Sequence, residues 1–313
     1  MTAHPAIALV SLTFSPRVFW PYFAGLAILA IGLIVVLRSE IRLARGVDKA
    51  VVFGRVLFAV PMAVFGAEHL TAASDIARII PPWFPAPMFW TYLVGVALLA
   101  AALSIVVKRL SGLAATLLGL MLFSFVLIIH IPGEVANPGN RFLIAVILRD
   151  LGFSAGAFAL ASIETSERWR SLAAKAATYA RYVIGLSLLF FGVQHFLHPE
   201  FVPVVPLSLK TPAYVPFHGL WAYGVGAALL FGGLCLIANW HARVAAVWLG
   251  IVVCAVVLLV YLPILVASPA DIGVAMNYFA DTLLVGGNLL VLAGSLPKSA
   301  GKRETRRVAV TIA

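Results

Sequence analysis

Nine long apolar stretches dominate this sequence, and each is long enough to cross a lipid bilayer as one helix. A helix needs about 20 apolar residues to span the roughly 30 Å hydrocarbon core. Charged residues make up only 11% of the chain, whereas soluble domains carry about 25%. We therefore predict an all-α polytopic membrane protein in contact with the lipid bilayer, with about nine transmembrane helices. They are placed at 18–37, 51–71, 88–107, 112–132, 142–162, 181–198, 218–238, 243–265 and 275–296.

Basic residues are distributed unevenly between the two sets of loops. Of the 22 Lys and Arg residues, 17 are counted with one set of alternate loops, including the first residues of the spans that follow them, and with the C-terminal tail. Four are counted with the other set, and Arg149 falls well inside a span. By the positive-inside rule, this bias predicts a cytoplasmic C-terminus and an outer N-terminus. The net charge of +10 does not indicate nucleic-acid binding, because the basic residues lie at the ends of apolar runs.

The two cysteines and the start of the first apolar run indicate structural roles. Cys235 and Cys254 lie inside apolar runs without a CxxC pattern, so we expect them to be small core residues. Ser15 and Pro16 read as a helix N-cap and first turn. The apolar run that follows ends in Arg38, which indicates a retained helix rather than a cleaved secretory signal.

Most of the chain is one four-helix unit that occurs twice. Aligning Phe89–Ser162 with Leu220–Ala293 at a constant offset of 131 gives 20 identities in 74 positions. Upstream, an offset of 126 pairs His69 with His195. Because each unit has an even number of helices, the copies form a parallel repeat about an axis along the membrane normal. The predicted divisions are an N-terminal helix and linker (1–45), two four-helix bundle units (46–165 and 176–297) and a basic cytoplasmic tail (298–313).

Polar and ionisable residues inside the predicted spans are the strongest indicators of function, because such groups are costly in a bilayer. We expect them in the outer half of the membrane, with each unit's set converging inside its own bundle. The first unit is favoured as the active one, because the second unit has Ala280 at the position of Arg149 in the first. The first-unit set is Glu68, His69, Tyr92, His130, Arg149 and Asp150, and the second-unit equivalents and neighbours are Gln194, His195, His218, Tyr223, Tyr261 and Asp281.

The ion pairs within the first set can also be predicted. Adjacent residues on a helix point in different directions, so we expect Arg149 and Asp150 not to pair with each other. Glu68 is the predicted partner of Arg149, and His69 or His130 is the predicted partner of Asp150.

Three interpretations of these residues remain open. They could neutralise one another as part of the packing, or they could form a quinone site, since His, Tyr, Arg and Asp supply hydrogen bonds and protons to quinone carbonyls. A haem held by His69 and His130 is less favoured, because the helices lack the small residues that make room for a porphyrin. No metal-binding motif is present in the sequence.

A repeated motif gives a family resemblance. Each unit opens with an arginine and continues into an apolar helix ending in Phe-Gly-x-x-His: Arg55 with Phe65–His69, and Arg181 with Phe191–His195. This pattern resembles the DoxX-like membrane proteins over roughly 50–163 and 178–296. That family includes the membrane subunit of thiosulfate:quinone oxidoreductase. The resemblance implies a bacterial inner-membrane protein linked to quinone or thiol redox chemistry, working with a partner subunit.

Three functions follow from these observations. The first is a redox-associated inner-membrane protein, either a quinone-linked oxidoreductase or its membrane subunit. The second is a non-enzymatic membrane scaffold or accessory subunit, since the chain has no phosphate loop, metal motif or soluble catalytic domain. The third, a transporter, is disfavoured because the polar groups concentrate near one face. The sequence leaves the substrate, the electron donor and the oligomeric state open.

Overall fold

The computed structural model describes residues 15–164 and 170–298. All continuous secondary-structure elements in this part of the chain are helices. Within these described ranges, nine helices are long and apolar enough to cross a membrane, which confirms the predicted all-α polytopic fold. They are α1 (Pro16–Glu40), α2 (Asp48–Thr71), α3 (Pro87–Val107), α4 (Ser111–Ala136), α5 (Arg141–Ile163), α6 (Arg170–Leu197), α7 (Leu220–Ile237), α8 (Ala242–Ala267) and α9 (Ile272–Ser295).

The helix ends differ from the predicted spans mainly where polar residues continue a helix. Ser15 is the N-cap of α1 with Pro16 in the first turn, as the sequence predicts, although its hydroxyl makes no capping hydrogen bond. Helix α6 begins at Arg170, eleven residues before the predicted span. Its added first turns are rich in alanine, the strongest helix former. The predicted tail beyond Lys298 lies outside the described residues.

Helices α4 and α8 contain the same irregularity at matching positions. Each has a π-helical turn, at Val126–His130 in α4 and at Val257–Tyr261 in α8, followed by a short α-helix. Pro132 and Pro263 lie in the first turn of those short helices. Proline lacks an N–H and clashes with the preceding turn, and a π turn accommodates that defect without ending the helix. All these boundaries recur 131 positions apart, the offset of the sequence repeat.

The two units pack against each other through the first and last helices of each unit. The first helix of the first unit, α2, packs along the last helix of the second, α9, while α5 packs along α6 in the equivalent way. Helices α5 and α9 also contact each other, at the centre of the molecule. Each unit's first and fourth helices are therefore joined to the other unit rather than mainly to one another.

Glycines permit these close contacts. A Cβ on Gly287 of α9 would lie 2.5 Å from the backbone nitrogen of Phe58 on α2, so only glycine fits at this approach. On the other side of α9, Asn288 fills the space left by Gly156 of α5 and donates a 2.8 Å hydrogen bond to the Gly152 carbonyl. Helix α9 is accordingly the most deeply buried of the nine.

Candidate functional site

Arg149 lies at the centre of a polar network between α5 and α9. Its Nε donates to Oδ1 of the adjacent Asp150 at 2.8 Å, and its Nη1 donates to Oδ2 of Asp281 at 2.6 Å. All three side chains are less than a fifth exposed. Asp150 is nine residues into α5, about 14 Å along the axis at 1.5 Å per residue. The ion pair is therefore well inside the helical bundle.

His130 extends the network to α4. Its Nε2 lies 2.8 Å from Oδ2 of Asp150, so both oxygens of that carboxylate are engaged. His130 is the last residue of the π-helical turn in α4. Such turns shift the direction of the side chains around them and are frequent at functional sites.

Glu68 brings α2 into the same network. When the amide nitrogen of Asn277 faces Glu68, it lies 2.7 and 2.9 Å from the two carboxylate oxygens. Asn277 is one turn before Asp281 on α9, and Asp281 is close enough for its charge to act on Glu68. Hydrogen bonds thus connect Asp281, Arg149, Asp150 and His130. The Glu68–Asn277 pair lies beside them, one helical turn from Asp281, so the network draws on four helices.

Two predicted pairings differ from the structure, and one is confirmed. Arg149 does pair with Asp150, because its long side chain can turn sideways to reach a neighbour that a rigid projection from the helix would exclude. Glu68 is not the partner of Arg149; Asp281 of the other unit takes that position. The predicted pairing of His130 with Asp150 is confirmed.

The polar residues also do not assemble as one set within each unit. Asp281, counted with the second unit from the sequence, completes the first-unit network, because α5 and α9 meet at the centre of the molecule. The network is a single one, shared between the units.

Two of the remaining second-unit residues, His195 and Tyr261, hold a loop rather than each other. The loop at 199–217 folds over the end of its unit where α6 ends and α7 begins, with Val202, Val204 and Val205 fully buried. His195 Nε2 accepts a 2.9 Å hydrogen bond from the Val204 backbone nitrogen, and the Tyr261 hydroxyl donates to the Pro203 carbonyl. These residues are already satisfied by the protein's own backbone, which gives them a structural role.

The corresponding loop of the first unit, residues 72–86, does not bury itself in this way. Ile79 and Trp83 are more than 60% exposed. His69 hydrogen-bonds through Nδ1 to the Phe65 carbonyl at 2.7 Å, as His195 does to Phe191. No described residue, however, makes a hydrogen bond to its Nε2. Its Cβ packs close to Gly95 of α3. His69 therefore lies beside the network without joining it.

The other predicted residues lie apart from the network. Tyr92 and Tyr223 are almost half exposed on the outer surface of the helices. His218 is exposed and contacts the Pro212 carbonyl at 3.0 Å. Gln194 is buried, with its amide oxygen lacking a hydrogen-bond partner in the described structure.

Sequence reasoning missed Asn277 altogether. A usable signal was present, because Asn277 is four residues before Asp281, and residues at this spacing lie on the same helix face. Phe153, one turn after Arg149, was missed as well; its ring centroid lies 5.9 Å from the guanidinium carbon. Apolar residues on these helices are too numerous for that position to stand out.

Within residues 15–164 and 170–298, no group of three or more His, Cys, Asp or Glu side chains could hold a metal ion. Cys235 and Cys254 are both unpaired thiols. The network's chemistry is thus that of carboxyl groups, an imidazole and a guanidinium.

Comparison with known proteins adds no assignment: no family of proteins, no curated protein and no solved structure matches this chain.

Proposed function

We propose that this protein is a quinone-linked component of a redox system in the bacterial inner membrane. We further propose that it binds quinone and exchanges protons at the polar network around Arg149. The observation that carries the proposal is the network's composition. The network contains one permanent cation, Arg149, and three carboxyl groups, two of which Arg149 contacts, and it ends in a histidine.

The acidic excess implies that the network holds protons. With all three carboxyl groups ionised and His130 neutral, the cluster would carry a net charge of −2 inside a membrane. Uncompensated charge costs several kcal/mol in such surroundings. The network is therefore more stable with one or two protons added, and quinone reduction consumes two protons with its two electrons.

Unused donors are present beside these acids. Within the described structure, Arg149 Nη2 and His130 Nδ1 make no hydrogen bond. Nη2 is always a donor, and Nδ1 becomes a donor when His130 takes up one of the network's protons. Donors of this kind suit quinone carbonyl oxygens, and the Phe153 ring beside the guanidinium supplies an apolar surface. A bound quinone would supply the electron-accepting chemistry; His130 and Asp150 would hold and move the proton.

The electrons must be exchanged with a second redox centre, which we assign to a partner subunit. The DoxX-like resemblance points to the same arrangement, since that family includes the membrane subunit of a quinone oxidoreductase. In the proposed orientation, the N-terminus is outside and the C-terminus is cytoplasmic. The network then lies in the outer half of the membrane.

The test is quinone extraction and binding with the purified full-length chain. We expect Asp150→Asn and His130→Gln to lower quinone affinity about tenfold, equivalent to about 1.4 kcal/mol. Tyr223→Phe is the matched control, because Tyr223 is exposed and away from the network. Folding of every variant is checked by circular dichroism and gel filtration.

Unchanged binding in folded Asp150→Asn and His130→Gln variants would refute the site. If the native chain yields no quinone and binds none, the accessory-subunit alternative takes its place. The Arg149–Asp281 ion pair favours the accessory-subunit alternative in one respect, because it joins the two units whether or not a ligand binds.

A further inference from the structure

A second site lies at the opposite end of the same helices. At the end where most Lys and Arg residues cluster, a cavity of about 380 Å³ opens between the two units. It is independent of the quinone proposal, because it shares none of the network's side chains. Its apolar wall comes from both units and consists of Val51, Val52, Leu160, Ile163, Leu290 and Val291.

Two arginines reach the cavity with part of their hydrogen-bonding capacity unused. Arg55 pairs through Nη2 with Glu164 at 2.7 Å, but its Nη1 is buried without a partner in the described structure. Arg243 pairs through Nη2 with Asp48 at 2.6 Å, and its Nε is also buried and unpartnered there. Buried, unmade hydrogen bonds of charged groups are costly, so these N–H groups fit an external acceptor.

The charge balance favours an anion. Asp48 is shared between Arg243 and Lys298, with Lys298 Nζ 2.7 Å from its second oxygen. Glu40 at the rim is paired with Lys108 at 2.8 Å. When the charged lining residues are counted with their ion-pair partners, there are four cations (Arg55, Lys108, Arg243 and Lys298) and three acids (Glu40, Asp48 and Glu164), which leaves one positive charge.

We propose that this cavity binds the phosphate head group of an anionic phospholipid, with its acyl chain against the apolar wall. The unused N–H groups of Arg55 and Arg243 would donate to phosphate oxygens, which arginine binds well. Basic pockets between transmembrane helices on the cytoplasmic side are suited to anionic lipid heads. The lipid would thus bridge the two units at their inner junction.

The experiment is native mass spectrometry of the full-length protein in detergent, titrated with phosphatidylglycerol, phosphatidylcholine or inorganic phosphate. We expect saturable binding of phosphatidylglycerol alone. Arg243→Gln removes one unused donor while Lys298 still neutralises Asp48; Arg55→Lys removes the other while keeping a cation for Glu164. Val52→Phe fills the apolar part without changing any charge.

Each of these three variants should lower phosphatidylglycerol affinity about tenfold, equivalent to about 1.4 kcal/mol. Arg109→Gln is the control, because Arg109 is an exposed arginine at the same end and does not line the cavity. Unchanged affinity in the three cavity variants would overturn the proposal. Inorganic phosphate or phosphatidylcholine binding as tightly as phosphatidylglycerol would also overturn it, since the site would then not select an anionic lipid.

Discussion

Arg149 shows how one side chain can organise a buried polar network. It contacts one carboxylate on its own helix and another on α9, so this guanidinium links the two units at the centre of the molecule. Its neighbours are acidic, and the adjacent Asp150 is also held by His130. Removal of the cation would leave both carboxylates buried without their main partner.

We expect Arg149→Met to destabilise the protein by about 3–5 kcal/mol, the usual cost of breaking a buried ion pair from one side. The free energy of unfolding is measured by titration from mild detergent into SDS, followed by circular dichroism. Arg149→Met combined with Asp150→Asn and Asp281→Asn should recover most of the loss, because the two carboxylates that Arg149 neutralised are then absent. A triple variant as unstable as Arg149→Met would contradict this explanation.

The sequence predicted which residues belong to the network better than it predicted which residues contact one another. Four of the six first-unit candidates (Glu68, His130, Arg149 and Asp150) enter the network, because ionisable residues within apolar helices stand out individually. The pairing of His130 with Asp150 was predicted correctly, but the partners of Arg149 were not, since Asp281 reaches Arg149 through packing of α9 on α5. Hydropathy reveals which segments are helices but not which helices meet.

At the scale of helices, the spans were predictable because length and apolar composition determine membrane insertion directly. The π-helical turns were not, although the prolines that follow them, Pro132 and Pro263, align in the repeat. The positions at which helices approach closely could be predicted only in part from the sequence. Gly156 and Gly287 align with each other, yet one accommodates a side chain and the other a backbone.

The fit of Asn288 against Gly156 gives a steric prediction. A Cβ at Gly156 would lie 1.3 Å from Asn288 Oδ1, so Gly156→Ala should cost about 1–3 kcal/mol of stability through overpacking. Asn288→Ala should cost about 1 kcal/mol by losing its hydrogen bond to Gly152. The double variant should be no less stable than Asn288→Ala alone, because the space has been vacated.

The same SDS titration measures these three variants. Gly273→Ala serves as the control, because a Cβ there meets no atom within 4 Å. Strictly additive losses in the double variant would show that Gly156 is needed for some reason other than the Asn288 side chain.

At the scale of the whole molecule, the sequence repeat indicates two similar units, but the packing makes them interdependent. Helix α2 packs on α9 and α5 on α6, so each unit presents its first and last helices to the other. The polar network spans that junction in one half of the bundle, and the cavity beside Arg55 and Arg243 opens along it at the opposite end. Both proposed sites therefore require the two units to be assembled.

This interdependence predicts the behaviour of a divided chain. Two fragments separated between Glu164 and Arg170, when co-expressed with an affinity tag on one, should co-purify as a complex, because the inter-unit contacts remain intact. Gly287→Ala should sharply reduce recovery of the untagged fragment, since its Cβ would meet the Phe58 backbone at 2.5 Å. Gly273→Ala should leave recovery unchanged, because that position has open space. A first fragment that is folded and monodisperse without the second would contradict the shared packing, and would place the stability of each unit within its own four helices.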